Sequence, residues 1–337
     1  METAGKATAQ AQIAEFDDTE VFSAAIKRVD LEIVQTGRGM FRASHAWFTT
    51  GLCDVQVGSI NQPFFVRGAS HPRRLAFLVE LRKSREWNWF GEPMGNSVGL
   101  CAGGSDLLIS AAPGTQWALI SSAPDSLAQC AETVYGQRLP LPARGPAIIR
   151  PDPLDLAHVR ELMVEPLASL KAQKPDRTSL NASMDQALCR VLVQMLLGET
   201  SALRRAATVP VQQVFKRVHY YMAGHLEGGV RLDELCQASG VSRQTLLRIF
   251  ANCVGLDPIR YLTVCRLNQV HKALRRADPA ISAVADIARA WGFSHLGTFS
   301  RQFTELFGVS PDQVLRATTP FMTPHAATAA PDESSDN

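Results

Sequence analysis

The sequence predicts an α+β protein in which a β-rich N-terminal half precedes an all-helical C-terminal domain. Residues 30–122 contain short runs of Val, Ile, Phe and Trp between glycines and prolines, a pattern typical of strands joined by tight turns. Residues 211–319 carry apolar side chains at helical spacing. The same region contains an internal repeat, which indicates a duplicated structural unit.

The composition of the whole chain narrows the class of protein. The 337 residues are enough for two domains that each bury a core. The hydrophobic and charged fractions, 46% and 20%, are ordinary for a soluble protein. Met1–Gln12 shows no secretory signal, and no stretch is long and apolar enough for a membrane span. The seven cysteines lack CxxC or CxxH spacing, so we expect reduced thiols, a cytoplasmic location and no membrane contact.

Charge is distributed unevenly along the chain. Residues 211–319 contain 13 Lys and Arg against 8 Asp and Glu, a net charge of +5. Residues 1–210 contain 21 of each kind and are neutral. A basic segment beside a neutral one fits a domain that meets phosphate groups, although a solvated basic face gives the same count.

The N-terminal half divides into a strand region and a helical region. The clearest strand runs are Leu31–Thr36, Leu75–Leu81, Ser97–Cys101, Leu107–Ser110 and Trp117–Ser121. Strands this short, with turns this frequent, predict a small barrel or sandwich rather than a parallel sheet. Helical spacing follows in Ser126–Tyr135, Leu156–Leu170 and Ser183–Leu197.

Three segments lack both kinds of spacing. Residues 1–17 are small and polar, and residues 320–337 are rich in Ala, Thr and Pro. Both segments are predicted to be disordered tails. Residues 199–210 interrupt the helical spacing and form the predicted linker between an N-terminal domain, 18–198, and a C-terminal domain, 211–319.

The C-terminal domain contains one pattern twice. The corresponding positions are Gly240 and Gly292, Phe250 and Phe303, Gly255 and Gly308, and Pro258 and Pro311. The last three pairs are 53 positions apart and the first pair 52, so the second copy has one extra residue after its turn glycine. Four landmarks in register indicate a duplicated unit.

Each landmark predicts a piece of local structure. The glycines at 240 and 292 stand where one helix ends and the chain turns sharply, which favours a residue that tolerates positive φ. A serine or aspartate precedes each following helix as a predicted N-cap, and proline then occupies the first helical position in two cases. The predicted N-caps are Ser242, Ser294, Asp257 and Ser310. Helix, short turn and capped helix together form a helix-turn-helix unit.

The stretch SRQTLLRIFANCVGLDPIRYLTVCRL, followed by VADIARAWGFSHLGTFSRQFTELFGVSP, resembles the DNA-binding domain of AraC/XylS-type transcription regulators. The resemblance covers residues 211–319 and both helix-turn-helix units. It implies that Pro258–Arg276 is a long helix holding two reading helices about one DNA turn apart. It also implies a sequence-specific regulator at the nucleoid, with promoter DNA and RNA polymerase as partners and activation as the favoured mode.

Alignment with the family pattern selects the candidate DNA-binding side chains. They are Arg243, Gln244, Leu247 and Arg248 in the first copy, and His295, Leu296, Gly297, Thr298 and Arg301 in the second. Glutamine can contact adenine and arginine guanine through two hydrogen bonds each. Arg248 and Arg301 could equally contact phosphate or form surface ion pairs, but their equivalent places in two copies favour the groove. Because Leu296 and Gly297 offer no hydrogen bonds, we expect the second copy to read fewer bases.

Basic residues outside the reading helices have less defined roles. For Lys272, Arg275 and Arg276 the sequence leaves phosphate contact and plain solvation open.

The resemblance also implies a role for residues 18–198. Regulators of this build pair the DNA-binding module with a sensor and dimerisation domain, here expected as a β-barrel or cupin-like fold with trailing helices. The strings RLNQVHKAL and WGFSHLG are similar to the subgroup with ethanolamine-operon regulators, which implies a small amine or related metabolite as the effector.

Aromatic residues of the N-terminal half offer a candidate effector site. Trp87 and Trp89 are two positions apart and so point to one face of any strand that they share. With Trp117 they could line an apolar pocket in which Arg67 supplies a polar contact. The aromatic core of a small β domain is the more frequent role for each such tryptophan.

The helix predicted at Ser183–Leu197 has one apolar stripe. Its members are Met184, Leu188, Val191, Leu192, Met195 and Leu196. The stripe could pair two chains or cover the β domain. We favour pairing into a homodimer, because two copies at one promoter multiply a modest affinity.

Two rival functions were weighed against a regulator. An enzyme is not expected, since His45 and His71 stand alone, without the paired ligands that a metal centre needs. No nucleophile elbow, phosphate-binding loop or HExxH motif is present either. We therefore expect no catalytic residue, no metal and no cofactor. An architectural DNA binder without an effector, or a sensor of a partner protein, is the second rival.

Overall fold

The structure, a computed structural model, has a two-sheet N-terminal region followed by a helical C-terminal region. It describes residues 11–82, 87–139, 141, 145–171, 182–198, 204–205, 209–225 and 229–317. The predicted tail 320–337 lies outside these residues, as do most of the predicted linker 199–210 and residues 1–10 of the other tail.

The strands of the N-terminal region form two antiparallel sheets. In chain order they are β1 (Ala11–Phe16), β2 (Val29–Gln35), β3 (Ala43–Thr49), β4 (Cys53–Ile60), β5 (Phe64–Ser70), β6 (Leu75–Arg82), β7 (Trp87–Trp89), β8 (Glu92–Pro93), β9 (Val98–Ala102), β10 (Asp106–Ala111), β11 (Thr115–Ser122), β12 (Gly145–Ile149) and β13 (Arg204–Arg205). The eight-stranded sheet has the order β1-β3-β4-β11-β6-β9-β12-β13, and the five-stranded sheet the order β2-β5-β10-β7-β8.

Both sheets are open, which corrects the predicted β-barrel. Among the described strands, β1 and β13 end the larger sheet and β2 and β8 end the smaller one. Apolar side chains from both sheets, such as Phe65 and Trp117, share one core. Short alternating strands predict two apolar faces that pack together, but they do not predict whether the edge strands pair.

The predicted N-terminal tail is ordered from residue 11 onward. Strand β1 pairs with β3 along its whole length, from Ala11 opposite Phe48 to Phe16 opposite Ala43. The rings of Phe16 and Phe22 then meet edge to face at 5.4 Å. Ala11–Phe16 completes a sheet edge and gains its order from the partner strand, so the composition of residues 1–17 as a whole was misleading.

The helices, in chain order, are α1 (Thr19–Ala25), α2 (Pro124–Tyr135), α3 (Pro153–Leu162), α4 (Val164–Lys171), α5 (Ala182–Gly198), α6 (Val209–Ala223), α7 (Leu232–Ser239), α8 (Arg243–Val254), α9 (Pro258–Arg276), α10 (Val284–Ala290), α11 (Leu296–Phe307) and α12 (Pro311–Arg316). None of the helices in the described ranges is long and apolar enough to cross a membrane.

Helix α5 covers the eight-stranded sheet with its apolar stripe. Leu188 and Leu192 are fully buried, and all six residues of the stripe lie in one core with α2, α3 and the sheet. The side chain of Asp185 accepts a hydrogen bond from the Leu52 amide at 3.0 Å, which fixes the start of α5 on the sheet. The stripe is therefore buried against the sheet of its own subunit. The predicted pairing of two chains through this stripe is wrong.

The C-terminal helices dock on the five-stranded sheet through aromatic rings. Phe65 of β5 meets Phe215 of α6 at 5.2 Å and Tyr261 of α9 at 5.6 Å. Phe250 of α8 stacks on Phe215 at 5.0 Å. Because aromatic side chains bury large apolar areas, this four-ring cluster joins the two regions of the chain.

Candidate nucleic-acid interface

Two helix pairs of similar design flank the long helix α9. The first helix pair is α7 with α8, and the second is α10 with α11. In the first pair, α7 ends at Gly240 with φ +72°, and the Ser242 side chain accepts a hydrogen bond from the Thr245 amide at 3.3 Å. Glycine tolerates this φ without a Cβ clash, and the serine caps the new helix, as the sequence predicts.

Helix α8 separates its side chains into two faces. Leu246, Ile249 and Phe250 are buried. Arg243, Gln244 and Arg248 are exposed, and Leu247 is half-buried between the two faces. The three exposed polar side chains lie in the first half of the helix, so the outer face offers hydrogen-bond donors of the kind that read base edges.

Helix α9 separates the two pairs. It spans Pro258–Arg276, which confirms the predicted helix, and its N-cap Asp257 accepts from the amides of Ile259 and Arg260 at 3.1 and 3.0 Å. Nineteen helical residues rise about 28 Å, somewhat less than the roughly 34 Å of one DNA turn. The helix is thus long enough to hold its neighbours apart on the scale of a DNA turn.

The second helix pair turns at Gly292, whose φ is +83°. Helix α11 begins at Leu296, and its N-cap is His295, whose side chain makes no capping hydrogen bond. The predicted N-cap, Ser294, lies one residue too early. The extra residue in the second copy lengthens the turn, and so moves the helix start by one position relative to the serine.

Helix α11 has a strong apolar face and a sparsely polar outer face. Phe299 and Phe303 are 1% and 0% exposed. The candidate DNA-binding residues of this pair are exposed His295, Gly297, Thr298 and Arg301 and half-buried Leu296. Only the histidine, threonine and arginine side chains offer hydrogen bonds to a base or phosphate.

The arginines on the outer faces carry unneutralised charge. Arg243, Arg248 and Arg301 are exposed and form no ion pair with any other residue in the described ranges. Free guanidinium groups on two adjacent helix pairs make a surface that attracts phosphate.

The basic end of α9 faces the N-terminal region instead. Arg275 pairs with Asp18 at 3.0 Å, Arg276 with Glu20 at 2.5 Å, and the Lys272 ammonium lies 3.8 Å from Glu32. Each of these residues thus meets a carboxylate of the N-terminal region, while the Arg276 side chain stays 68% exposed and is also solvated. Contact with phosphate stays an open alternative. Acidic groups more than 200 positions away in the chain could not be paired with them from spacing alone.

Two half-buried histidines lie on α6 and α9, outside the two helix pairs. Burial lowers the pKa of His219 on α6 to about 4, with the positive charge of Arg67 acting in the same direction. Burial also lowers the pKa of His271 on α9 to about 4. The His271 ring stacks on Phe307 of α11 at 4.5 Å. Both imidazoles are therefore neutral at pH 7 and act as packing groups.

The candidate effector residues lie at the core rather than around an open pocket. Trp87, Trp89 and Trp117 are buried, and the first two share one face of β7 as predicted. Arg67 pairs with Glu32 across β5 and β2. The indole N–H groups of Trp87 and Trp89 are buried without a hydrogen-bond partner in the described part of the chain. Within that part, no cluster of three or more His, Cys, Asp or Glu could hold a metal ion.

Two residues at the contact between the N-terminal and C-terminal regions were not predicted from the sequence. Gln35 of β2 and Asn268 of α9 are 1% and 4% exposed and hydrogen-bond to each other across the two regions. Asn268 is the polar side chain among the buried positions of α9. A lone amide in an apolar stripe was the available signal, because a buried amide needs a partner.

Residues 235–317 match a family model described as a helix-turn-helix domain. This match and the exposed polar faces define the class of the C-terminal region, a helix-turn-helix DNA-binding domain.

Two curated proteins and one solved structure indicate which regulators this chain is similar to. The chain is 39% identical over 101 residues to the "Probable thc operon regulatory protein" of Rhodococcus erythropolis, covering 30% of each chain. It is 26% identical over 102 residues to the XylDLEGF operon transcriptional activator of Pseudomonas putida, covering 30% of this chain and 32% of the relative. The match thus spans about a third of the length of these relatives. A solved structure described as a probable AraC family transcriptional regulator from Rhodopseudomonas palustris CGA009 is 26% identical over 32% of this chain and 98% of its own, with a TM-score of 0.29.

The family match runs from within α7 to just after α12. This part of the chain is a helix-turn-helix domain, and 30% of the chain is similar to each of the two operon regulators named above. The suggested closeness to ethanolamine-operon regulators stays a prediction.

Proposed function

We propose that this protein is a transcription regulator that binds specific promoter DNA through both helix pairs and activates transcription in response to a small molecule. One observation carries the proposal. The outer faces of α8 and α11 expose arginines without an ion pair in the part of the chain that the structure describes, Arg248 and Arg301, at equivalent places opposite fully buried Phe250 and Phe303. A duplicated polar face on a packed scaffold suits two successive contacts in the major groove.

The two helix pairs would contribute unequally to recognition. The first offers Arg243, Gln244 and Arg248, whose donors match guanine and adenine edges, with Leu247 beside them for a thymine methyl. In the second, Arg301 and Thr298 stand beside Gly297, which has only open space around its Cα. The second pair would therefore depend more on backbone contacts and DNA shape.

An effector would bind in the N-terminal region near Trp87, Trp89, Trp117 and Arg67. The unpaired indole N–H groups of the first two support this part of the proposal, since buried donors favour an acceptor. Because the tryptophans are covered in the described structure, entry of a ligand would need the sheets to separate locally.

Two copies of the chain would act at each promoter. The surface that pairs them would lie outside the α5 stripe, which is buried within one subunit. RNA polymerase would be the partner that responds to the bound regulator. The regulators among its relatives support this non-enzymatic role at the nucleoid.

Selection of bound fragments from sheared source-genome DNA tests the proposal. The full-length protein at near-physiological salt should enrich a shared motif with two contacts about one helical turn apart. Arg248→Ala and Arg301→Ala should each lose the motif. Arg42→Ala is the matched control, because Arg42 is an exposed arginine of the N-terminal region.

Enrichment without a motif would contradict the proposal and favour an architectural DNA binder, the alternative function. The same conclusion follows if both arginine variants enrich the motif as well as Arg42→Ala does. A motif that disappears in both variants would support sequence-specific reading, and the neighbouring operons would indicate the effector class.

A further inference from the structure

We propose that Gln35, a residue of the N-terminal region, is a positioning residue that holds helix α11 in place for the second DNA contact. The proposal rests on the proposed function and assigns to one side chain the coupling between the two regions. It is carried by the hydrogen bonds around the end of α11, by the burial of their atoms and by the contrast with α8.

The C-terminal end of α11 is fastened to the loop after β2. The carbonyl of Leu306 accepts a hydrogen bond from the Gln35 side-chain amide and another from the Gly39 backbone amide, both at 2.9 Å. The last carbonyls of a helix have no partner within the helix. Here two donors from another region of the chain satisfy one of them.

The Gln35 side chain is itself immobilised. Its amide nitrogen also donates to the carbonyl oxygens of Gly37 and Gly39, at 2.9 and 2.6 Å. The side chain is 1% exposed, so its hydrogen bonds cannot be exchanged for bonds to water. The two hydrogens of the amide nitrogen are shared among three carbonyl oxygens, and the side-chain oxygen has no partner among the described residues. The donor side therefore fixes the geometry, because a displacement of the amide nitrogen would leave buried carbonyls with fewer donors.

Main-chain atoms of Gln35 bind the helix that leads to the second pair. The Gln35 amide donates to the Asn268 side-chain oxygen, and the Asn268 side-chain nitrogen donates to the Gln35 carbonyl, both at 3.1 Å. Strand β2 is an edge of the five-stranded sheet. Asn268 therefore pairs with the sheet edge as a neighbouring strand would.

Apolar and charged contacts surround the hydrogen bonds of Gln35. Val34, next to Gln35, is buried within the core formed by α9, α11 and α12. Arg38, at the exposed rim, lies 3.5 Å from Glu305 of α11. The segment 34–39 thus contacts α11 through an apolar residue, a buried amide and an ion pair.

Helix α8 has no equivalent polar attachment in the described structure. It ends at Gly255, whose amide bonds to the carbonyls of Phe250 and Ala251 within the same helix. Its contact with the sheet is van der Waals contact around Gly91, whose close neighbours are Asn252 and Cys253. Loss of Gln35 should consequently disturb the second DNA contact and leave the first.

The test compares full-length proteins on three versions of a selected operator: intact, with the first contact scrambled, and with the second scrambled. Dissociation constants are measured by fluorescence anisotropy at fixed salt. Gln35→Met removes the donor at nearly constant volume. We expect the wild type to lose about a hundredfold on scrambling the first contact and about tenfold on scrambling the second, which offers fewer base contacts. We expect Gln35→Met to lose about a hundredfold for the first contact and less than threefold for the second.

The matched control removes an interdomain hydrogen bond near the first pair. Gln212 of α6 donates to Asp106 of β10 at 2.8 Å, and Gln212→Met should depend on both contacts as the wild type does. Arg38→Glu is a surface variant that retains the buried bonds and opposes Glu305. It should weaken dependence on the second contact in the same direction, so the test survives if Gln35→Met fails to fold.

The outcomes separate the two proposals. A wild type that ignores both scrambled contacts overturns the proposed function and the positioning role with it. A wild type that needs both contacts, with folded Gln35→Met and Arg38→Glu variants that need both equally, overturns the positioning role alone. Selective loss of dependence on the second contact supports it, since general destabilisation would weaken both contacts together.

Discussion

The first and second helix pairs come from one repeated pattern but are stabilised by different means. In the first pair, Ser242 caps α8 and Gly255 ends it through bonds within the helix. In the second, α11 starts without a side-chain cap, and its end is held by Gln35 and Gly39. Local sequence therefore accounts for more of the first pair, whereas the second depends on a segment more than 250 positions earlier.

The outer faces of α8 and α11 also differ in the polar side chains that they expose. Three exposed polar side chains, Arg243, Gln244 and Arg248, stand on α8, whereas Gly297 interrupts the corresponding row on α11. The second pair, whose α11 carries the glycine in this row, is also the pair whose α11 is hydrogen-bonded to the N-terminal region. The two copies of one design therefore differ both in the side chains that they expose and in their contacts with the N-terminal region.

The largest expected effect is on the cores. Phe250→Ala and Phe303→Ala each remove a fully buried ring, which should lower the free energy of unfolding by about 3–5 kcal/mol. Phe250 contacts Phe215 and Tyr261 at the junction with the sheet, whereas Phe303 contacts Phe299 and Phe307 of its own helix. Urea denaturation measures the change, and losses below 1 kcal/mol would contradict the packing described here.

A decrease in pH should destabilise the folded protein through two histidines, His219 of α6 and His271 of α9. His219 and His271 have folded-state pKa values of about 4, below the unfolded value near 6.5. Between pH 6.5 and 4 the unfolded state binds more protons, so stability is full above this window and falls as the pH decreases through it. Each histidine should account for about 3 kcal/mol of the loss.

Single substitutions assign this pH dependence to each histidine. Asp17, Asp18, Lys272 and Arg275 also act on the pKa of His271, but burial is the largest cause. Thermal unfolding at several pH values should show one part of the acid loss removed in His271→Leu and a similar part in His219→Leu. The remainder includes the contribution of His45, whose pKa is also lowered by burial. An unchanged pH dependence in both variants would disprove the assignment.

Removal of the exposed arginines sharpens the comparison at the DNA surface. Arg248→Ala should weaken binding to a selected operator by roughly 5- to 150-fold, the range expected when an arginine contact to guanine is lost. Arg301→Ala should cost less, because its neighbours offer fewer base contacts. Anisotropy titrations at fixed salt measure both variants, and a larger loss for Arg301→Ala would reverse the proposed order.

The smallest effect concerns the helix caps. Ser242→Ala should destabilise the protein by about 1 kcal/mol, because the side-chain bond to the Thr245 amide is lost. His295→Ala should change stability by less than half as much, since the His295 side chain makes no capping bond. Equal losses in thermal unfolding would mean that the two helix starts are equivalent after all.

Much of the C-terminal domain could be predicted from the sequence. The bounds of α9 and the caps at Ser242, Asp257 and Ser310 are confirmed, because glycine, proline and capping residues act on neighbours within one turn. The start of α11 was missed by one residue, where an extra residue in the turn separates Ser294 from the helix.

The predictions that were wrong concern contacts between segments that are far apart in the sequence. The strand runs are present, but their edges stay open instead of closing a barrel. The α5 stripe could cover a sheet or pair two chains, and spacing does not distinguish the two surfaces. Residues 11–16 have little pattern of their own and are ordered by pairing with β3.

By itself, the sequence determined five strand runs that the structure contains, three of the four predicted caps of the C-terminal helices, and that one pattern occurs twice. These features depend on interactions over a few residues. Only the tertiary structure decided that Arg248 forms no ion pair with the described residues while Arg275 meets Asp18, and that Gln35 reaches Leu306. A polar side chain acquires its partner from whichever distant segment the packing of the cores brings beside it, and spacing along the chain does not encode that neighbour.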